Sequence, residues 1–145
     1  MSPRFSWSTF WAGIRGGFFA TLVMTVFRAP TAQSLPPTAE FLERYLRGAA
    51  NEYHLTSLVL HFLYGTSAGA LFGPLSTTVV GETNEPETVG IGIGTIYGLT
   101  MSVFGHRVIL ERFLGMDLTT DEEAIFHAGH LIYGLVLGVW VGSRS

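Results

Sequence analysis

The hydrophobic positions of this chain are gathered into four long blocks separated by shorter polar segments. The blocks run Phe10–Phe27, Leu55–Leu75, Val89–Leu110 and Ala124–Val141. Each has roughly the 17–25 residues that a helix needs to cross the hydrocarbon core of a bilayer. In lipid, only helices and closed barrels satisfy their backbone hydrogen bonds, and these blocks are too long and continuous for barrel strands. The pattern therefore predicts an all-α fold, a bundle of four transmembrane helices.

The two halves of the chain resemble each other. The motif H-x-x-Y-G-x-x-x-G-x-x-x-G occurs at 61–73 and again at 130–142, and LERYL at 42–46 is matched by LERFL at 110–114. Because the matches keep the same order, we interpret the chain as one membrane domain with two tandem two-helix repeats. The repeats cover about 10–75 and about 89–142, with a loop at 76–88. Repeats in the same orientation predict a pseudo-twofold axis along the membrane normal.

Glycines recur every four positions in all four blocks. They are Gly13 and Gly17 in the first block, Gly65, Gly69 and Gly73 in the second, Gly90, Gly94 and Gly98 in the third, and Gly134, Gly138 and Gly142 in the fourth. Residues four apart lie on one face of a helix, so each set forms a glycine row. Small faces allow membrane helices to approach closely. We expect the rows to pack helices together; the alternative is that they leave room for a flat cofactor or a lipid tail.

Composition narrows the function classes. Charged residues make up 13% of the chain and cysteine is absent, which excludes disulfides, thiol catalysis and cysteine-ligated metals. The arginines are spread thinly, so the sequence offers no basic face for nucleic acid. The sequence contains no nucleophile elbow, phosphate-binding loop or paired catalytic carboxylates. These features predict a non-enzymatic protein that does not bind nucleic acid.

Arginine placement predicts the orientation in the cell membrane. The first and third connections hold Arg28, Arg44, Arg47, Arg107 and Arg112, whereas the rest of the chain holds Arg4, Arg15 and Arg144. Cytoplasmic segments carry the excess of basic residues in membrane proteins. We therefore expect a multi-pass protein with both connections in the cytoplasm and both termini outside.

His61 and His130 occupy equivalent positions inside two predicted spans, with Tyr64 and Tyr133 three residues further on. Ionisable residues within a span suggest a functional site, and three interpretations stay open. Each imidazole could bond to a neighbouring helix and lock the bundle, both could ligate a b-type haem, or the His/Tyr pairs could line a proton or substrate path.

A metal site is a further arrangement to consider. Glu123 directly precedes the fourth block, and His127 and His130 lie within it; residues three or four apart on a helix can converge on an ion. Glu123 is seven positions from His130, which stretches such a site, so the sequence predicts no metal centre. His54 and His106 lie at span ends, where solvation is the ordinary explanation.

Three stretches carry a family resemblance: GGFFATLVMTVF, the proline-containing connection after it, and LHFLYGTSAGALFG. The chain resembles small prokaryotic multi-span membrane proteins of the DUF6789/YagU-like kind. The resemblance includes Met24-Thr25 near the end of the first span and His61-Phe62 opening the second. The second half departs from it, with His130-Leu131 in place of His-Phe. The resemblance implies a multi-span membrane protein and supplies no catalytic residues.

Little of the chain lies outside the four blocks and their connections. With the small-residue faces, this favours an accessory or assembly subunit of a larger membrane complex, or a homo-oligomer. We expect its partners to be the lipid bilayer and other membrane subunits or further copies of itself. The alternative is a small transporter or channel that uses the intramembrane His/Tyr pairs.

Overall fold

The computed structural model describes residues 6–30, 37–46, 48 and 54–144. The helices are α1 (Trp7–Arg28), α2 (Pro37–Tyr45), α3 (His54–Val80), α4 (Pro86–Phe104) and α5 (Thr120–Gly142), and α4 continues into a π-helical segment, Gly105–Leu114. The described residues contain no strand. Four helices are long and apolar enough to cross a membrane: α1, α3, α4 with the π segment, and α5. The predicted all-α membrane fold with four apolar helices is confirmed.

Two helix boundaries differ from the predicted ones. α3 runs through Pro74 to Val80, and α4 begins at Pro86, so helix covers part of the predicted loop at 76–88. Proline has no N–H to bond to the carbonyl one turn earlier, yet the helix continues, with the Thr77 hydroxyl donating to the Pro74 carbonyl at 2.7 Å. The third span also passes its predicted end and reaches Leu114 as a π helix.

Glycine backbones form the contacts between α1 and α3 and between α4 and α5. A Cβ on Gly17 would lie 2.6 Å from the Gly65 carbonyl oxygen, and a Cβ on Gly90 would lie 2.5 Å from that of Gly138. Ordinary contacts between carbon atoms are about 3.5–4.0 Å, so even a methyl group has no room. The same steric limit holds at seven further glycines, each of which would meet backbone atoms of the opposite helix: Gly13, Gly69, Gly73, Gly94, Gly98, Gly134 and Gly142. Gly65 instead faces the Thr21 side chain.

The core lies where α1, α3 and α5 meet. Its buried members are Ala20, Met24, Ala68, Phe72, Tyr133, Leu137 and Val141. Many large apolar side chains point outwards, among them Phe18, Leu71 and Ile96. An apolar exterior of this kind fits contact with lipid rather than with water.

The short connection before α5 brings the π segment and the first turn of α5 together. Gly115 closes the π segment in the left-handed conformation, φ 63°, and its N–H bonds to the Glu111 carbonyl. Thr119 and Glu122 then form a reciprocal capping box at the start of α5, which satisfies two otherwise unpaired N–H groups. α2 joins the same end of the bundle, because Arg44 donates to the Leu114 carbonyl at 2.6 Å.

Candidate functional site: an intramembrane cavity

A cavity of about 230 Å³ lies between α1, α3, α4, the π segment and α5. It is lined by Thr21, Met24, Arg28, His61, Tyr64, Gly65, Ala68, Met101, Gly105, Ile109, Leu110, Leu114, Phe126, His130 and Tyr133. Most of these side chains are apolar, and the polar ones include both predicted histidines. The fold therefore brings His61 and His130 to one cavity, although they are far apart in sequence.

Hydrogen bonding defines the tautomer of His130. This histidine is 8% exposed, and its Nδ1 lies 3.0 Å from the Phe126 carbonyl oxygen of its own helix. A carbonyl only accepts, so Nδ1 carries the proton, and in the neutral ring Nε2 is left as an acceptor. His130 is thus oriented by a hydrogen bond within α5. Its Nδ1 does not make the predicted bond to a neighbouring helix.

The tyrosines link the helices instead. The Tyr133 hydroxyl donates to the Gly65 carbonyl at 2.6 Å, which ties α5 to α3. Tyr97 donates to the Ala68 carbonyl at 2.8 Å and ties α4 to the same stretch of α3. Tyr64 lines the cavity but is 46% exposed. The two predicted tyrosines therefore have different surroundings, and Tyr97 is a linking residue that the sequence analysis did not identify.

Arg28 places a positive charge in the cavity lining, which matters most for the chemistry of a ligand. The sequence did not identify it as a site residue. It is the last residue of α1, and its half-buried side chain lines the cavity with His61 and His130. Its aliphatic part also covers Gly129, since the Arg28 Cδ would lie 3.3 Å from a Cβ built there. The available signal was its position at the end of a span, which sequence analysis used only to predict orientation.

The volume of the cavity tests the haem alternative. An engineered cavity of about 150 Å³ holds one benzene molecule, and this cavity is about 230 Å³. A haem macrocycle is several times larger than benzene, so it does not fit between the side chains as they stand.

A second polar group lies beside the cavity. Glu123 and His127 meet His106 from the π segment, whereas the sequence analysis had considered them together with His130. His130 instead packs against Phe126, with ring centroids 4.4 Å apart. Phe126 also borders His106 and His127 at 6.3 and 5.9 Å, so it separates this group from the cavity.

Comparison of the chain with protein-family models, with curated proteins and with solved structures finds no match.

Proposed function

We propose that this chain is a non-enzymatic membrane protein that binds a small amphipathic molecule, an apolar chain or ring carrying an acidic group, in the cavity. The observation that carries this proposal is the lining of the cavity. A guanidinium and two imidazoles line one cavity together with apolar side chains.

Arg28 and Ala68 lie at different depths of the cavity. Arg28 ends α1, while Thr21 lies seven residues earlier, a separation of about 10 Å along a helix. Ala68 and Tyr133 belong to the buried core at the deeper level. A ligand that places an anionic group beside Arg28 and an apolar portion towards Ala68 matches both ends, because a guanidinium forms strong charge-assisted hydrogen bonds with a carboxylate.

The volume limits the size of the ligand. Since about 150 Å³ suffices for the six carbons of benzene, a cavity of about 230 Å³ suits a molecule with only a few more heavy atoms. Octanoate is a suitable probe because it combines a short apolar chain with a carboxylate, and octanol is its uncharged counterpart.

Titration of the protein in lipid nanodiscs with octanoate and with octanol tests the proposal. Ala68→Leu should fill the cavity and weaken both ligands at least about tenfold, a change of about 1.4 kcal/mol. Arg28→Gln should weaken octanoate more than octanol, because only octanoate presents a charge to the guanidinium. Ser67→Leu is the matched control, since Ser67 is the exposed neighbour of Ala68 on the same helix.

Three results would contradict the proposal: no saturable binding of octanoate, equal binding by Ala68→Leu and the parent protein, or an equal effect of Arg28→Gln on both probes. Helicity and monodispersity of each variant distinguish loss of the cavity from loss of the fold.

The second candidate, a small transporter or channel, is favoured by one specific observation. His61 and His130 line the same cavity, as a shared proton or substrate path requires. Proteoliposomes distinguish the two functions: a flux that disappears in His61→Ala and His130→Ala supports transport, whereas binding without flux supports a binding subunit.

We further propose that the chain is an accessory subunit of a larger membrane complex or forms a homo-oligomer. We also propose that its two halves are a tandem duplication and that it is related to the DUF6789/YagU-like proteins. The paired glycine contacts of α1 with α3 and of α4 with α5 support the duplication. Isolation of the protein in its native membrane, followed by mass measurement of the intact assembly, tests the accessory role. A lone monomer would contradict it.

A further inference from the structure

Three metal-ligating side chains meet at the end of the bundle, next to the cavity rather than in its lining. They are His106 from the first turn of the π segment and Glu123 and His127 from the start of α5. One ligand atom from each lies within 4.8 Å of the other two. We propose that His106, Glu123 and His127 form a binding site for a divalent transition-metal ion, with Zn²⁺ as the representative ligand.

The distances favour a coordination shell over direct hydrogen bonds. His106 Nδ1 lies 3.4 Å from Glu123 Oε1, and His127 Nε2 lies 3.5 Å from the same oxygen. Hydrogen bonds from nitrogen to oxygen are about 2.7–3.2 Å long. A tetrahedral zinc ion with bonds of about 2.0–2.1 Å separates its ligand atoms by roughly 3.3–3.5 Å. The two observed separations therefore match two edges of such a tetrahedron.

Each histidine has an outer partner on its other ring nitrogen. His106 Nε2 lies 3.5 Å from Glu111 Oε1, and His127 Nδ1 is hydrogen-bonded to the Ser102 hydroxyl. Metal-ligating histidines usually donate their second N–H to such a group, which fixes the tautomer and the ring orientation. Ser102 already makes this bond with His127, whereas the distance between His106 and Glu111 must shorten before a hydrogen bond forms. With protons on His127 Nδ1 and His106 Nε2, the two nitrogens facing Glu123 carry free lone pairs.

The π-helical winding places His106 beside its outer carboxylate. In an α-helix, residues five apart point about 140° away from each other, because each residue turns the chain by about 100°. In a π helix the hydrogen bonds run from i to i+5, so His106 and Glu111 lie one above the other. The proximity of His106 and Glu111 therefore depends on the π-helical winding of residues 105–114.

The surroundings of the cluster suit a cation. His106 is 7% exposed, while Glu123 and His127 are partly buried. The nearby cation, Arg107, pairs with Glu111 Oε2 at 3.6 Å, so it lies against the outer carboxylate and not against Glu123. Two imidazoles and one carboxylate are a ligand set of zinc and of non-haem iron(II). Three ligands leave further positions on the ion for water or another molecule.

Titration of the chelator-treated 145-residue protein in nanodiscs with Zn²⁺ alone tests this site. One ion per chain should bind, and Glu123→Gln or His127→Gln should lower the affinity more than about 100-fold, because loss of an outer partner alone costs about 10–100-fold. Glu111→Gln should fall within that smaller range. His54→Gln is the control, because His54 is an exposed histidine at the start of α3. The Zn²⁺ affinity of this variant should differ less than about twofold from that of the parent protein.

A second readout identifies the coordination. Co²⁺ bound in the same protein should show the intense visible absorption of a tetrahedral site, and this absorption should disappear in Glu123→Gln. Because His106 is buried, His106→Gln is informative only if its helicity equals that of the parent protein. If its helicity is lower, the test relies on the variants at the partly buried Glu123 and His127. The proposal is overturned if the parent protein binds no stoichiometric Zn²⁺, or if Glu123→Gln and His127→Gln bind it as tightly as the parent. Neither result depends on octanoate binding in the cavity.

Discussion

The close contact between α4 and α5 makes a strong prediction at Gly94. A Cβ on this residue would lie 2.7 Å from Gly138 Cα, and closer still to the Gly134 carbonyl oxygen. Carbon atoms attract each other at about 3.5–4.0 Å, so Gly94→Ala must separate the two backbones by roughly 1 Å. The obstructing atoms are backbone atoms, which rotamer changes cannot move.

Gly92 provides the matched control. It belongs to the same helix, two residues earlier, and a Cβ there would meet no heavy atom of the described chain within 4 Å. Alanine favours a helix over glycine by about 0.8–1.0 kcal/mol in water. Gly92→Ala should therefore be neutral or slightly stabilising, whereas Gly94→Ala gains the same propensity but loses the close contact.

The expected loss at Gly94 is about 1–3 kcal/mol, the usual effect of inserting a methyl group into a packed interior. Reversible unfolding in mixed micelles with increasing dodecyl sulfate measures the free energy of unfolding of both variants. Equal stability of Gly94→Ala and Gly92→Ala would refute the reasoning, because the two variants differ chiefly in what the added methyl group contacts.

Three further predictions concern other contacts. Tyr133→Phe should lower the free energy of unfolding by about 0.5–1.5 kcal/mol, the net value of a hydrogen bond. Tyr64→Phe, at a half-exposed position, should lower it by less. The same micelle assay measures both variants, and equal effects would contradict the role of Tyr133 in linking the helices. Thr119→Ala should destabilise the start of α5 by about 0.5–2 kcal/mol, and Thr119→Ser should restore most of this loss in the same assay. The chain has no cysteine, so an impermeant maleimide reports the orientation: Asn84→Cys should react in intact cells and Asp117→Cys only after permeabilisation. The reverse pattern would contradict the predicted orientation.

The helices could be predicted from the sequence, but their ends could not. Four apolar blocks were enough to identify four spans, since length and hydropathy are local properties. The passage of α3 through Pro74 and the extension of the third span to Leu114 contradict the local signals. In membrane helices, neighbouring helices and Ser/Thr side chains can satisfy the backbone groups that a proline frees, so a proline does not by itself mark a helix end.

The candidate sites show the same division. His61 and His130 were identified because ionisable residues are rare within spans. Arg28 and Tyr97 were not, because their importance comes from what they face across the bundle. His106 was not grouped with Glu123 and His127 in the sequence, because it lies on a different helical segment and sequence spacing groups only residues of one helix.

The sequence by itself determined that this is a membrane protein of four apolar helices, with glycine rows and two intramembrane histidines, because periodicity and composition describe each helix separately. Only the tertiary structure decided that His61 and His130 share a cavity with Arg28 and that His106 joins Glu123 and His127. These groupings depend on the rotation and axial register of one helix against another. Backbone contact at the glycines, together with the winding of the π segment, sets that rotation and register. The sequence of one helix alone does not determine them.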